Sequence, residues 1–190
     1  MKRLFAALKI HANVEFLAKY SELKQELRHE QIKWVEECNI HVTLKFFGET
    51  VERKIPEICS VLRHRASMTS SVGLQLKGLG IFGSSYAPKV IWVGIEPFED
   101  LSALMKNIHT DLKSIGFEPD RQNLVPHLTL GRIKFLREKM IFNRTIEQMK
   151  SISSSNISIF EMILFESILH HEGPEYIVLE KFPFIKTELP

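Results

Sequence analysis

His41-Val42-Thr43-Leu44 recurs 86 residues further on as His127-Leu128-Thr129-Leu130, and each copy follows a loop and opens a stretch that reads as a strand. Side chains of a strand alternate between faces. His41 and Thr43 therefore share one face and Val42 and Leu44 the other; His127 and Thr129 divide from Leu128 and Leu130 in the same way. The apolar members can pack against helices while the polar pair points outward. A slip of one residue would bury both polar groups, so the register is strongly specified. With seven threonines and eight histidines in 190 residues, chance supplies a His-x-Thr tripeptide roughly 0.3 times, and about tenfold fewer once the flanking residues must be apolar. Two accidental copies are not expected. The repeat implies two related lobes facing each other across a cleft, each offering a histidine and a threonine.

That pairing suits proton transfer at phosphorus. In-line displacement on a phosphodiester places a base and an acid on opposite sides of the phosphorus atom. Histidine, with an ordinary pKa near 6.5, allows one ring to be neutral while the other is cationic. Threonine hydroxyls can donate to the non-bridging phosphate oxygens, and the cationic ring adds charge. The design needs no metal ion and no cofactor.

Outward from the repeats, an opening strand is expected over Leu4–Ile10 and an amphipathic helix from Val14 to about His29, capped by Asn13. Ile40–Phe46 alternates as a strand and stops at Gly48. Val51–Ala66 reads as a helix, with Ile55, Ile58, Cys59 and Leu62 inward. Strands over Val72–Phe82 and Val90–Ile95 flank a loop at Gly83–Pro88. A third helix spans Phe98–Ile115 and stops at Gly116. A strand at His127–Ile133 and a helix at Arg137–Lys150 follow. Strands at Ile157–Leu169 and Tyr176–Phe182 then turn at His170–Pro174. Antiparallel-looking strands mixed with helices make the class α+β, with two antiparallel sheets facing a central cleft and helices outside. The chain, residues 1–190, is expected to form one domain of two intertwined lobes.

Composition narrows the possibilities. The 44% hydrophobic and 25% charged content is that of an ordinary globular chain. Twenty-five basic against 23 acidic residues leave a formal charge of +2, without the basic excess of a general nucleic-acid binder. A pocket for a nucleic-acid end needs only a few local cations. No run approaches the ~18 apolar residues of a membrane span, and the apolar start is cut short by Lys9, too early for a signal peptide. Cys38 and Cys59 form neither a disulfide framework nor a zinc spacing, so a cytoplasmic, reducing setting is expected; the chain is also expected to be a monomer.

These residues resemble the 2H phosphoesterase superfamily, specifically the RNA 2′,3′-cyclic phosphodiesterase (2′-5′ RNA ligase) family. The likeness extends to Arg3-Leu4-Phe5, Leu44–Glu49, Val90–Gly94, Pro126–Arg132, Leu164–Leu169, Gly173 and Tyr176. It implies a bilobal, pseudo-twofold fold and a metal-free hydrolysis of RNA 2′,3′-cyclic phosphate ends to 2′-phosphomonoesters, with 2′-5′ ligation as the reverse. It implies His41 as proton donor and His127 as proton acceptor, with Thr43, Thr129 and Arg132 on the phosphate. The partners would be RNA ends or small cyclic-phosphate nucleotides. Other readings are a phosphodiesterase for a small cyclic nucleotide such as ADP-ribose cyclic phosphate, and a non-catalytic RNA-binding module.

Plain alternation sets Arg132 on the Leu128/Leu130 face unless Gly131 introduces a bulge. It sets Lys45 beside His41 and Thr43 as a rim charge. Cys38 reads as a core cysteine. His11, His29, His64 and His109 read as surface residues. Phe82, Tyr86 and Trp92 could stack on a base, with core packing expected for Trp92.

Overall fold

A computed structural model describes residues 1–84, 86–119, 125–171 and 173–185. Ser85 of the expected Gly83–Pro88 loop and Glu172 of the expected His170–Pro174 turn lie outside the described residues. The elements run β1 (Lys2–Lys9), α1 (Val14–Glu26), β2 (Gln31–Trp34), β3 (His41–Thr50), α2 (Ile55–Ala66), β4 (Val72–Ser84) and β5 (Ala87–Glu96). Next come α3 (Glu99–Lys113), β6 (His127–Phe135), α4 (Lys139–Gln148), β7 (Ile157–Ile159), β8 (Glu161–Leu169) and β9 (Pro174–Pro183). The class is α+β, as expected.

Two antiparallel half-sheets make up the β structure. One runs β3-β1-β8-β9 and the other β7-β4-β5-β6, with β2 added along β6. They meet edge to edge where β3 and β6 begin, through one antiparallel residue pair, Val42 opposite Leu128. The two expected sheets are thus halves of one curled sheet, and the repeat sits at their seam.

The helices pack on the face opposite the polar pairs. Phe16, Tyr20 and Leu23 of α1, Ile58 and Leu62 of α2, Leu101 and Ile108 of α3, and Phe142 of α4 share one core with Leu4, Val42, Leu44, Leu128 and Leu130. Each such fully buried side chain contributes about 1.5–3 kcal/mol. Asn13 caps α1 by accepting from the Phe16 N–H at 3.1 Å. That helix ends at Glu26, earlier than its apolar spacing predicts, because Leu27–Glu30 turn into β2. β2 itself, four residues long, is too short to announce itself by periodicity.

Two helices cross from one half-sheet to the other. After β1, α1 crosses to the other half, where the Tyr20 hydroxyl reaches the Leu130 carbonyl on β6 at 2.7 Å. After β5, α3 crosses back, where His109 Nε2 reaches the Leu44 carbonyl on β3 at 3.1 Å. His109, expected at the surface, is therefore buried; the apolar face of α3 is wide enough to take it inside beside Ile108 and Leu112.

Both repeats are bulged at the same place. Along β1, Ala7 pairs Thr43 and Ala6 pairs Lys45, which leaves Leu44 as the extra residue. Along β5, Trp92 pairs Thr129 and Ile91 pairs Gly131, which leaves Leu130 extra. An extra residue reverses the alternation beyond it. Gly48 marks a further bulge rather than a strand end: its φ of +71° is left-handed and β3 continues to Thr50.

Candidate active site

The seam register builds the site. Val42 and Leu128 lie opposite each other with both side chains in the core. In an antiparallel pair the residues on either side then oppose crosswise, His41 toward Thr129 and Thr43 toward His127. Directly opposed Cβ atoms sit about 4.5–5.5 Å apart and diagonal ones about 7–8 Å. The two histidines occupy one diagonal of this quartet and the two threonines the other. All four line a single cavity of about 420 Å³, together with Arg132, Trp34 and Tyr176.

Each ring is held in the same way. His41 Nδ1 lies 2.7 Å from the Asn39 carbonyl and His127 Nδ1 2.9 Å from the Val125 carbonyl, each two residues upstream. A carbonyl only accepts, so Nδ1 carries the proton in both rings and Nε2 is the nitrogen left to exchange one. Aromatic rings fix the remaining degree of freedom. Phe5 lies 5.0 Å from His41 and Tyr176 stands edge-on to it at 5.4 Å. Phe82 stands edge-on to His127 at 4.8 Å. Beneath His41, Phe5, Ala7, Ile163 and Phe165 form a small second core on the cleft face. Burial among these groups lowers the His41 pKa below its ordinary 6.5. The Asn39 carbonyl opposes that effect, while Arg132 and His127 add to it. Burial likewise raises the Tyr176 hydroxyl above its usual value of 10.0.

The bulges explain which cations reach the cleft. Past the extra Leu130, Arg132 pairs with Val90 and so returns to the face of Trp92 and Thr129, where it lines the cavity. Lys45 takes the opposite course. The bulge at Leu44 turns it away from His41 and Thr43 into the interior, where it is only 4% exposed and donates to the Glu118 carbonyl at 2.9 Å. The expected rim charge at Lys45 is thus corrected. Gly131 permits the second bulge to sit under β2: a Cβ there would lie 2.8 Å from Ile32 Cγ2 and 2.9 Å from Trp34 Cε3.

Cys38 is exposed rather than buried, because a 3₁₀ turn at Glu37–Asn39 lifts it off the line of the following strand. Trp92, expected in the core, lies instead on the face of Thr129, where it packs over Gly80 and beside Phe82, because Ile91 and Val93 take the core-facing positions of β5. Lys33, Trp34 and Asn39 also line the cavity and were not among the expected site residues. Only the pairing of β2 with β6 brings Lys33 opposite Arg132 and Trp34 opposite Gly131. Among the described residues no three His, Cys, Asp or Glu side chains gather where they could hold a metal ion, and no helix is long and apolar enough to cross a membrane.

Two like halves, each presenting a histidine and a threonine at their seam, define a phosphoesterase of the two-histidine class. The chain belongs to the LigT-like phosphoesterase family, whose model matches residues 12–92 and again 93–176, one repeat in each match. It is 34% identical to the RNA 2′,3′-cyclic phosphodiesterase of Methanocaldococcus jannaschii, over 95% of this chain and 99% of that one. It is 32% identical to the enzyme of the same name from Thermotoga maritima, over 96% and 95%. Among solved structures, TT0787 of Thermus thermophilus superposes with a TM-score of 0.78 at 24% identity, covering 96% of this chain and 97% of that one. E. coli LigT complexed with 3′-AMP superposes at 0.73 with 18% identity, covering 97% and 99%.

Proposed function

We propose that this chain opens 2′,3′-cyclic phosphates at RNA ends by metal-free acid–base catalysis, leaving a 2′-phosphomonoester. The observation that carries the reading is the seam: two histidines on one diagonal, each with Nδ1–H tied to a carbonyl and Nε2 left for proton exchange. His127 takes a proton from water as its oxygen attacks phosphorus. The bond from phosphorus to the 3′ oxygen breaks, and His41 delivers its proton to that oxygen. The two rings then return to their starting states by exchange with solvent. Thr43 and Thr129 donate to the non-bridging oxygens, and Arg132 neutralises their charge. With the 5′-hydroxyl of a second strand in place of water, the same steps join it to the cyclic end through a 2′-5′ phosphodiester: His127 takes the hydroxyl proton, and the 3′ oxygen leaves with the proton from His41. Relatives named for the RNA reaction support the substrate class.

The roles sit in one domain spanning 1–190, whose crossed helices leave neither half able to complete its own core. Free Cys38 and Cys59 are compatible with a reducing cytoplasm. The deciding experiment is product analysis on an oligonucleotide ending in a 2′,3′-cyclic phosphate, run with and without excess EDTA. A 2′-phosphate end formed equally in both conditions is expected. A 3′-phosphate end overturns the acid–base assignment, and loss of turnover restored by added zinc overturns the metal-free chemistry.

A further inference from the structure

Immediately beyond Arg132 a second hollow begins, a groove of about 630 Å³ between the β4–β5 hairpin and the start of α4. Among the described residues Arg132 alone lines both this groove and the catalytic cavity, so the two adjoin at its side chain. Lys89, Arg132, Lys134 and Lys139 supply four cations to its walls, and none of its described lining residues is acidic. A chain carrying only +2 overall has concentrated positive charge at the mouth of its site. None of the four is in a salt bridge among the described residues. Two aromatic rings turned to solvent share the lining with these cations, Tyr86 at 82% exposure and Phe135 at 56%.

Cations following a groove with exposed aromatic rings between them are the general chemistry of a single-stranded nucleic-acid track. The cations meet successive phosphates, and the rings offer stacking faces to bases of any identity. A duplex would hide its base faces, and an acidic peptide would have no use for the rings. We infer that this groove binds the single-stranded RNA leading up to the cyclic end, holding it so that the terminal phosphate falls beneath Arg132 at the histidines. The inference deepens the proposed reaction and rests on it for the polarity of the strand. On this reading a protein with no basic excess overall would favour an RNA end over a free cyclic nucleotide.

The test compares the intact protein with Tyr86→Ala and with the double variant Lys134→Gln/Lys139→Gln, none of which alters a residue of the catalytic cavity. Two quantities are measured: the Kd for a fluorescent single-stranded oligonucleotide ending in a 2′-phosphate, and the kinetics of opening a 2′,3′-cyclic mononucleotide. Tyr86→Ala should weaken RNA binding about five- to a hundredfold, the range of one lost stacking contact. The double variant should flatten the salt dependence, the slope of log Kd falling by about 0.7 for each phosphate contact removed. Mononucleotide kinetics should not change. RNA affinity unaltered in both variants overturns the track, as does competition by polyglutamate at the same charge concentration as RNA. If the intact protein opens neither the cyclic mononucleotide nor an oligonucleotide ending in a 2′,3′-cyclic phosphate, yet RNA affinity falls in the variants, the track stands and the proposed reaction fails. If both variants bind RNA normally while the mononucleotide is opened, the reaction stands and the track fails.

Discussion

His41 and His127 share a sequence context and a Nδ1 anchor, but the cleft treats them differently. Burial on Phe5, Ile163 and Phe165, reinforced by the nearby Arg132, disfavours the charged form of His41. In the proposed role of proton donor, a histidine reluctant to hold its proton needs help, which an anionic phosphate would give by raising the His41 pKa on binding. The alkaline limb of kcat/KM, which reports the free protein, should therefore lie below about 6.5, and the limb of kcat should lie higher. A kcat limb at equal or lower pH would mean that the two histidines exchange roles. The same burial has a sign for stability. With a folded-state pKa below the unfolded one, the stabilisation from keeping His41 neutral is complete above about 6.5. It is lost as pH falls below that value and through the folded one. Urea midpoints of the wild type should drop more steeply with acid than those of His41→Asn, which cannot titrate there. In turnover, His41→Ala and His127→Ala should each lower kcat by about 10²–10⁴, with a double variant far from additive. These residues were legible in the sequence because a repeated polar pair in an apolar strand has few structural reasons to exist. Tyr176, Trp34 and Lys33 were not, since each reaches the cleft through strand pairings that no local pattern encodes.

At the level of the element, the bulges decide what alternation alone could not. Arg132 was assigned to the wrong face by simple counting and to the right one if the strand bulged; the extra residue is Leu130, one position before the glycine expected to mark it. The matching bulge at Leu44 left no glycine in the sequence to signal it, and so Lys45 was misplaced. Each bulged carbonyl meets a buried polar side chain from a crossing helix: Tyr20 on α1 at Leu130, and His109 on α3 at Leu44. The Tyr20 hydroxyl also lies 2.8 Å from the Val35 carbonyl, so its one proton serves two acceptors that hold β2 against β6. Tyr20→Phe should cost about 1–3 kcal/mol in denaturant unfolding, the range for a buried group deprived of its partner. An unchanged midpoint would show that the hydroxyl does not pin the bulge. Gly131→Val should do more harm, because its side chain must displace Ile32 or Trp34. Loss of turnover exceeding loss of stability is expected, since Arg132 moves with the strand.

For the molecule as a whole, the crossing of α1 and α3 predicts one unfolding event. Leu62→Ala in α2 should cost about 2–5 kcal/mol and Phe142→Ala in α4 about 3–5 kcal/mol. Both should shift the same transition, although the two side chains pack on opposite halves. Trp34 and Trp92 both lie on the β6 half, so fluorescence that follows the Leu62→Ala shift would report coupling across the seam. Two separated transitions would show the halves to be independent. The α+β class and the paired lobes were readable because the repeat is long-range and regular; the crossing of helices was not, since it depends on which half each connection reaches. The seam has one further consequence, for regiochemistry. Equivalent histidines on a twofold axis would accept a cyclic phosphate in either of two opposite senses, one yielding the 2′ ester and the other the 3′ ester. What breaks the equivalence lies five residues past each histidine: Arg132 in the second repeat and Phe46 in the first, the latter covered by the Arg3 guanidinium at 4.8 Å. Arg132 lines the cavity and Arg3, held over Phe46, does not, so the cleft has a direction. Arg132→Ala should therefore do more than weaken binding; it should raise the share of 3′-phosphate among the products, and a product ratio that stays fixed would place the origin of that direction elsewhere.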